Sequence, residues 1–129
     1  MGIRPLMRGM LVLWILVILW MVVPWRSFQD HLHWGSVQWI PFVSPPVRLL
    51  EIASNVILYV PFGALFAWTQ PTRRGVLWRT LAWALLLSGL TEASQLFSHG
   101  RFPSVTDLVA NVLGALIGAR AAMSRRPKV

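Results

Sequence analysis

The chain has 129 residues, of which 56% are hydrophobic and only 12% charged, a net charge of +8 and no cysteine. That length suggests one domain. The charged fraction is about half that of a soluble domain, so the composition reads as an all-α integral membrane protein. Disulfides, thiol chemistry and thiolate metal sites are excluded. Nucleic acid is set aside as a partner because the basic residues lie between apolar runs and at the termini, with no groove-like pattern. Their placement fits the bias of Lys and Arg toward cytoplasmic loops.

In chain order, residues 1–8 carry Arg4 and Arg8 and read as a short cytoplasmic segment. The uncharged run from Gly9 to Trp25 follows, 17 residues long and at the short end for a span. A basic start and a short apolar run also outline a signal peptide. No small-x-small cleavage site follows, so residues 9–25 are expected to form an uncleaved first transmembrane helix. The long connection from Arg26 to Arg48 holds Asp30, His31, His33, Trp34 and Trp39, and ends in Ser44-Pro45-Pro46. Its tryptophans favour the headgroup level. His31 and His33 are spaced as a pair of metal ligands, but no third ligand lies nearby in sequence. They read as solvated loop histidines, and neither a metal nor a cofactor is expected. Ser44 before Pro45 fits a helix N-cap with proline at the first helical position.

A second span is expected over about 49–68, with Glu51 and Asn55 on one face and a kink at Pro61. Gln70 to Arg74 is a polar turn. A third span follows over about 75–97, with Arg79 in its first turn and Ser88, Glu92 and Gln95 on one face. After the His99–Pro103 turn, a fourth span runs over about 104–123. One stripe of it reads Ser104, Asp107, Asn111, Gly114 and Gly118. Ala110, Gly114, Gly118 and Ala122 recur every four residues, a spacing that lets a partner helix approach closely through Gly114 and Gly118. Residues 124–129 form a basic cytoplasmic tail. Nine of the twelve Lys and Arg residues fall at the termini, in the second-to-third turn or beside them, against Arg26, Arg48 and Arg101 on the other side. The expected architecture is therefore a four-transmembrane-helix bundle with both termini cytoplasmic.

The chemistry concentrates between Glu92 and Asn111. Of the four acidic residues in the chain, Glu92 and Asp107 lie in this stretch, and Glu51 opens another apolar run. An ionisable residue inside a span is by default a functional hypothesis. With a rise of ~1.5 Å per residue, Glu51, Asn55, Glu92, Gln95, Asp107 and Asn111 fall within roughly 10 Å of the outer ends of their helices. The expectation is a small polar pocket that opens outward beneath the 99–103 turn. Its candidate ligand-binding residues are Asn55, Glu92, Gln95, Arg101, Ser104, Asp107 and Asn111. Each also has a purely structural reading. Ser104 and Asp107 have capping-box spacing, and Arg101 can pair with Glu92 or Asp107 and pin the hairpin. Asn55 and Asn111 can bond neighbouring helices, worth ~0.6 kcal/mol on average, and Glu51 can point to the headgroups.

Four stretches then carry a resemblance. They are Gln38-Trp39-Ile40-Pro41-Phe42; Asn55 through Pro61-Phe62-Gly63; Glu92-x-x-Gln95; and Arg101-x-x-Ser104-x-x-Asp107-x-x-x-Asn111-x-x-Gly114. In this order and spacing, residues 36–118 resemble the VanZ-like family of bacterial membrane proteins, whose namesake is associated with teicoplanin resistance. The resemblance implies a compact helical domain in the bacterial cell membrane and a role in the cell envelope. One branch of that family begins its domain with Asp-Lys-x-x-His. This chain lacks that motif, and roles tied to it do not carry over.

Two functional readings follow. In the first, the pocket binds a lipid-linked cell-wall precursor or another headgroup without turnover. Arg101 would hold a phosphate through its planar fork, and Gln95, Asn55 and Asn111 would hydrogen-bond sugar or peptide groups. In the second, the protein is a membrane-embedded hydrolase or transferase, with Glu92 and Asp107 as acid and base and Arg101 stabilising developing charge. The sequence supplies no activated nucleophile for the second: it has no cysteine, no serine is paired with a plausible histidine base, and His99 is the only histidine near the site. Binding is the favoured reading. A third, plainer one is a helical subunit that packs against a larger enzyme through the fourth span.

Overall fold

The structure is a computed structural model that describes residues 2–42, 49–100 and 102–126. Four long helices form it: α1 (Ile3–Val22), α2 (Leu49–Thr69), α3 (Val76–Gln95) and α4 (Val105–Arg125), with a short 3-10 turn at Trp34–Ser36. Among the described residues, the extended chain makes only two isolated bridges, Phe28 with Ser98 and Gln38 with Ser104.

The helix limits differ from the sequence expectation mainly in α1. It begins at Ile3, so Arg4 and Arg8 lie in the helix and not in a separate segment before it. Pro5 falls in the first turn, where its missing N–H has no intrahelical partner to lose. α1 also ends earlier than expected, at Val22, ahead of Pro24. α2 runs unbroken through Pro61; the cap expected at Ser44-Pro45 lies outside the described residues. Gly75 precedes α3 with φ of 70°, a left-handed conformation that glycine adopts without a Cβ clash. α3 stops at Gln95, two residues short of expectation, because the chain turns and the Leu96 and Phe97 carbonyls are taken by the 23–42 connection. Ser104 is the N-cap of α4; its hydroxyl accepts from the Thr106 N–H at 3.2 Å.

Helix α2 is the centre of the bundle: it packs most extensively on α4 and also meets α1 and α3, while α3 packs mainly on α4. The small-residue stripe accounts for this. A Cβ built at Gly114 or Gly118 would overlap the carbonyl oxygen of Val56 or Val60 on α2, and one built at Gly63 of α2 would overlap that of Ala115. The two backbones are therefore in direct contact, which dispersion and packing favour in lipid, where apolar burial between helices drives little. On the other side of α2, the Trp14 indole N–H donates to the Leu58 carbonyl at 2.9 Å and fixes α1.

The start of α1, the end of α4 and the 70–75 turn gather at one end of the bundle. The Arg126 guanidinium donates to the carbonyls of Ala67 (2.8 Å) and Gln70 (3.0 Å). Arg73 donates back to those of Met123 and Arg126. Arg4 reaches the Pro71 carbonyl at 3.4 Å. These cations fill helix C-terminal carbonyls that would otherwise lack donors.

Three helices, α1, α2 and α4, of 20, 21 and 21 residues, are long and apolar enough to cross a membrane. α3 has the length, at 20 residues, but its composition is diluted by polar side chains. Those side chains face inward. Thr80 and Ser88 are 0% exposed, while Trp78 and Leu90 on the same helix are 75% and 61% exposed. A helix with polar residues inside and large apolar residues outside is inverted relative to a helix facing water.

Candidate functional site

The end of the bundle where α3 turns into α4 carries most of the described polar residues singled out from the sequence. Glu92 sits on the last full turn of α3 and is 9% exposed. Its carboxylate accepts the Ser104 backbone N–H at 2.8 Å. That bond changes the capping-box expectation. In a capping box the Ncap N–H goes to the side chain three residues later, here Asp107. Here Glu92, arriving from the preceding helix, takes that N–H. The α3–α4 hairpin is thereby held by a charge-assisted hydrogen bond. Asp107 is half-buried in the first turn of α4, where a carboxylate complements the helix dipole.

One turn further along α4, Asn111 is buried and donates through Nδ2 to the Ser88 hydroxyl at 2.9 Å. Tyr59 of α2, fully buried, turns its hydroxyl toward Thr91 and Ser88. That hydroxyl and the Asn111 Oδ1 make no hydrogen bond of ordinary geometry among the described residues. Three helices thus contribute to one polar layer, but α2 supplies it through Tyr59 and not through Glu51 or Asn55, and Thr91 joins it unannounced. The available signal was the stripe Glu51, Asn55, Tyr59 at four-residue spacing.

The other candidates are placed differently. Gln95 is buried but faces α1, its amide Nε2 donating to the Val22 carbonyl at 3.5 Å. Asn55 is half-buried, and no hydrogen bond among the described residues joins it to the Glu92 group; Glu51 is exposed at the start of α2. Arg101 lies outside the described residues.

Over the hairpin lies the connection from α1. Gln29 and His33 donate backbone N–H groups to the carbonyls of Phe97 (2.7 Å) and Leu96 (2.9 Å). Gln38 exchanges two backbone bonds with the segment before α4: its N–H meets the Pro103 carbonyl at 2.8 Å, and its carbonyl accepts from Val105 at 3.1 Å. This connection forms one side of an open cavity of about 230 Å³ whose lining includes Glu92, Ser104, Trp34, Trp39, Leu96 and Leu108. The lining is mainly apolar, with the carboxylate set into it. The 34–39 segment lines it with Trp34, Val37 and Trp39, whereas the 99–103 turn to which the sequence pointed contributes Pro103.

The same loop contacts join three histidines. His31 and His33, which lacked a third partner in sequence, meet His99 from the α3–α4 turn, and one ring nitrogen from each lies within 4.8 Å of the others. The expectation of two isolated loop histidines is thereby corrected by the pairing of 28–33 with 96–98. Beside them Asp30 is exposed, and its carboxyl is held below the ordinary aspartate range, first by the hydrogen bond with His31 and then by its own backbone N–H.

An all-helical bundle with apolar exteriors, an inward polar layer and helices long and apolar enough to cross a membrane defines a helical membrane protein. The chain belongs to the VanZ/LLP1 family, whose family model matches residues 9–125. A curated relative, Protein VanZ of Enterococcus faecium, is 27% identical over 121 residues, covering 91% of this chain and 73% of that protein. No solved structure matches the chain.

Proposed function

We propose that the protein is a four-span envelope protein with cytoplasmic termini whose outer cavity binds part of a lipid-linked cell-wall precursor without turning it over. The observation that carries this reading is Glu92, a carboxylate buried in the wall of an otherwise apolar, tryptophan-lined cavity. Indole faces and aliphatic side chains suit the apolar face of a sugar or a lipid stem, and the carboxylate accepts hydrogen bonds from hydroxyl, amide or ammonium groups. At about 230 Å³ the cavity is smaller than the ~300–1,000 Å³ of a drug-sized site, so it fits one sugar ring or a short peptide portion. Arg101, two residues before Pro103, is the cation assigned to the phosphate.

Four spans are supported by α3, whose exposed tryptophans and leucines would be costly in water and are at home in lipid. Cytoplasmic termini are supported by the arginines gathered where α1 begins and α4 ends. Binding is favoured over turnover because the Glu92 carboxylate is engaged by the Ser104 N–H and no nucleophile–base pair adjoins it among the described residues. The relative's name connects the family to VanZ, and a change in glycopeptide susceptibility, teicoplanin above all, is the cellular consequence proposed.

The test is mass spectrometry of lipids that co-purify with the full chain from bacterial membranes. A lipid-linked precursor retained by the parent and lost in Trp39→Ala and Glu92→Gln, both still folded, is the expected result. Retention of bulk phospholipid alone would remove the binding reading. Conversion of the precursor over time, abolished by Glu92→Gln, would replace it with the enzyme. In cells, Arg101→Lys and Asp107→Asn are expected to keep the protein in the membrane and raise teicoplanin susceptibility.

A further inference from the structure

We infer that His31, His33 and His99 form a three-imidazole site for a divalent transition-metal ion, zinc foremost, that clips the α1–α2 connection to the α3–α4 turn. The ring nitrogens already lie within 4.8 Å of one another. Ring centroids are 4.6 Å apart for His31 and His33, 3.9 Å for His33 and His99, and 5.6 Å for His31 and His99.

The orientation of two rings is set from behind. The His31 Nδ1 donates to the Asp30 carboxylate at 2.8 Å, and the His33 Nδ1 donates to the Leu96 carbonyl at 3.3 Å. Each such bond places the proton on Nδ1 and leaves the Nε2 lone pair available, the arrangement that metal-ligating histidines adopt. The third contact, His33 Nε2 to His99 Nε2 at 2.7 Å, needs a proton on one of the two. An ion displaces that proton and holds both lone pairs, with ligand nitrogens about 3.3 Å apart for Zn–N bonds of ~2.0–2.1 Å in a tetrahedron. His31 and His99 are exposed, so their rings can swing over that distance. All-imidazole donors suit zinc, copper and nickel and not magnesium or calcium. Three ligands leave the fourth tetrahedral position to water. His33 immediately precedes Trp34, so the ion would also fix one wall of the cavity.

The experiment is equilibrium dialysis of the purified full chain, without a histidine tag, against zinc chloride, with cobalt(II) chloride as a spectroscopic probe. One ion per chain, displaced by a chelator and ignored by excess magnesium, is expected. The His31→Ala, His33→Ala and His99→Ala variants should each weaken zinc binding at least tenfold. Asp30→Asn should weaken it about 10- to 100-fold, as loss of a carboxylate behind a ligating histidine does. His31 is 61% exposed in its side chain, so its variant tests the site without disturbing the fold. Intense visible absorption of the cobalt form is expected for a four-coordinate site. No zinc uptake by the parent, or uptake unchanged in His31→Ala and His99→Ala, would overturn the inference. The measurement needs no lipid ligand, so its failure leaves the cavity proposal untouched.

Discussion

Changing Gly118 to alanine adds a single methyl group where two helix backbones touch. Its Cβ would lie 2.8 Å from the Val60 carbonyl carbon and 3.0 Å from the Ala64 nitrogen, and would overlap the Val60 carbonyl oxygen outright. These are backbone atoms of α2, so no side-chain rotation relieves them, and α4 as a whole must move away. Overpacking of this kind costs ~1–3 kcal/mol. Against it stands the better helix propensity of alanine, roughly 0.5–1 kcal/mol. Gly9 in α1 isolates that second effect, because a Cβ there meets nothing within 4 Å. The expected outcome is a gap of ~1–3 kcal/mol between Gly118→Ala and Gly9→Ala, with Gly118→Leu worse still. Unfolding by SDS in mixed micelles, followed by the fluorescence of the eight tryptophans, measures it. If Gly118→Ala and Gly9→Ala unfold together, the close approach of α2 and α4 is wrong, and the stripe faces lipid.

Replacing Glu92 by leucine strands the buried Ser104 N–H and should cost ~1–3 kcal/mol, whereas Glu92→Gln keeps an acceptor oxygen and should lose less; equal losses in the same assay would mean the bond to Ser104 is not made. Asn111→Leu removes the donor to the Ser88 hydroxyl and places a larger apolar group in the polar layer, so it should destabilise more than Ser88→Ala, with the order reversed if Asn111 faces lipid. Reporter fusions after Gly100 and after Val129 should read outside and inside respectively, and an external reading at Val129 would remove both the proposed topology and the outward cavity.

Much of the fold was legible because helix periodicity is local. The backbone hydrogen bonds of a span close within the segment, so apolar runs and their breaks mark α2, α3 and α4 to within a few residues. The recurrence of Ala110, Gly114, Gly118 and Ala122 likewise announced a face for close helix contact, and Ser104 announced the cap of α4. Tertiary structure alone decided what these features meet. The glycine face could have served any neighbour; it serves α2, because Gly63 on that helix lets Ala115 approach in return. Glu92 and Gln95 share a face by spacing, yet one turns to Ser104 and the other toward Val22. Least legible was the connection after α1, which has no period to read. Its course is set by which carbonyls the end of α3 leaves without donors, Leu96 and Phe97, and by the extended segment before α4. That pairing brings His33 to His99 across 66 residues of sequence and sets Trp34 and Trp39 against the cavity. Spacing along the chain carries no trace of such contacts, because they depend on how helix ends lie in space.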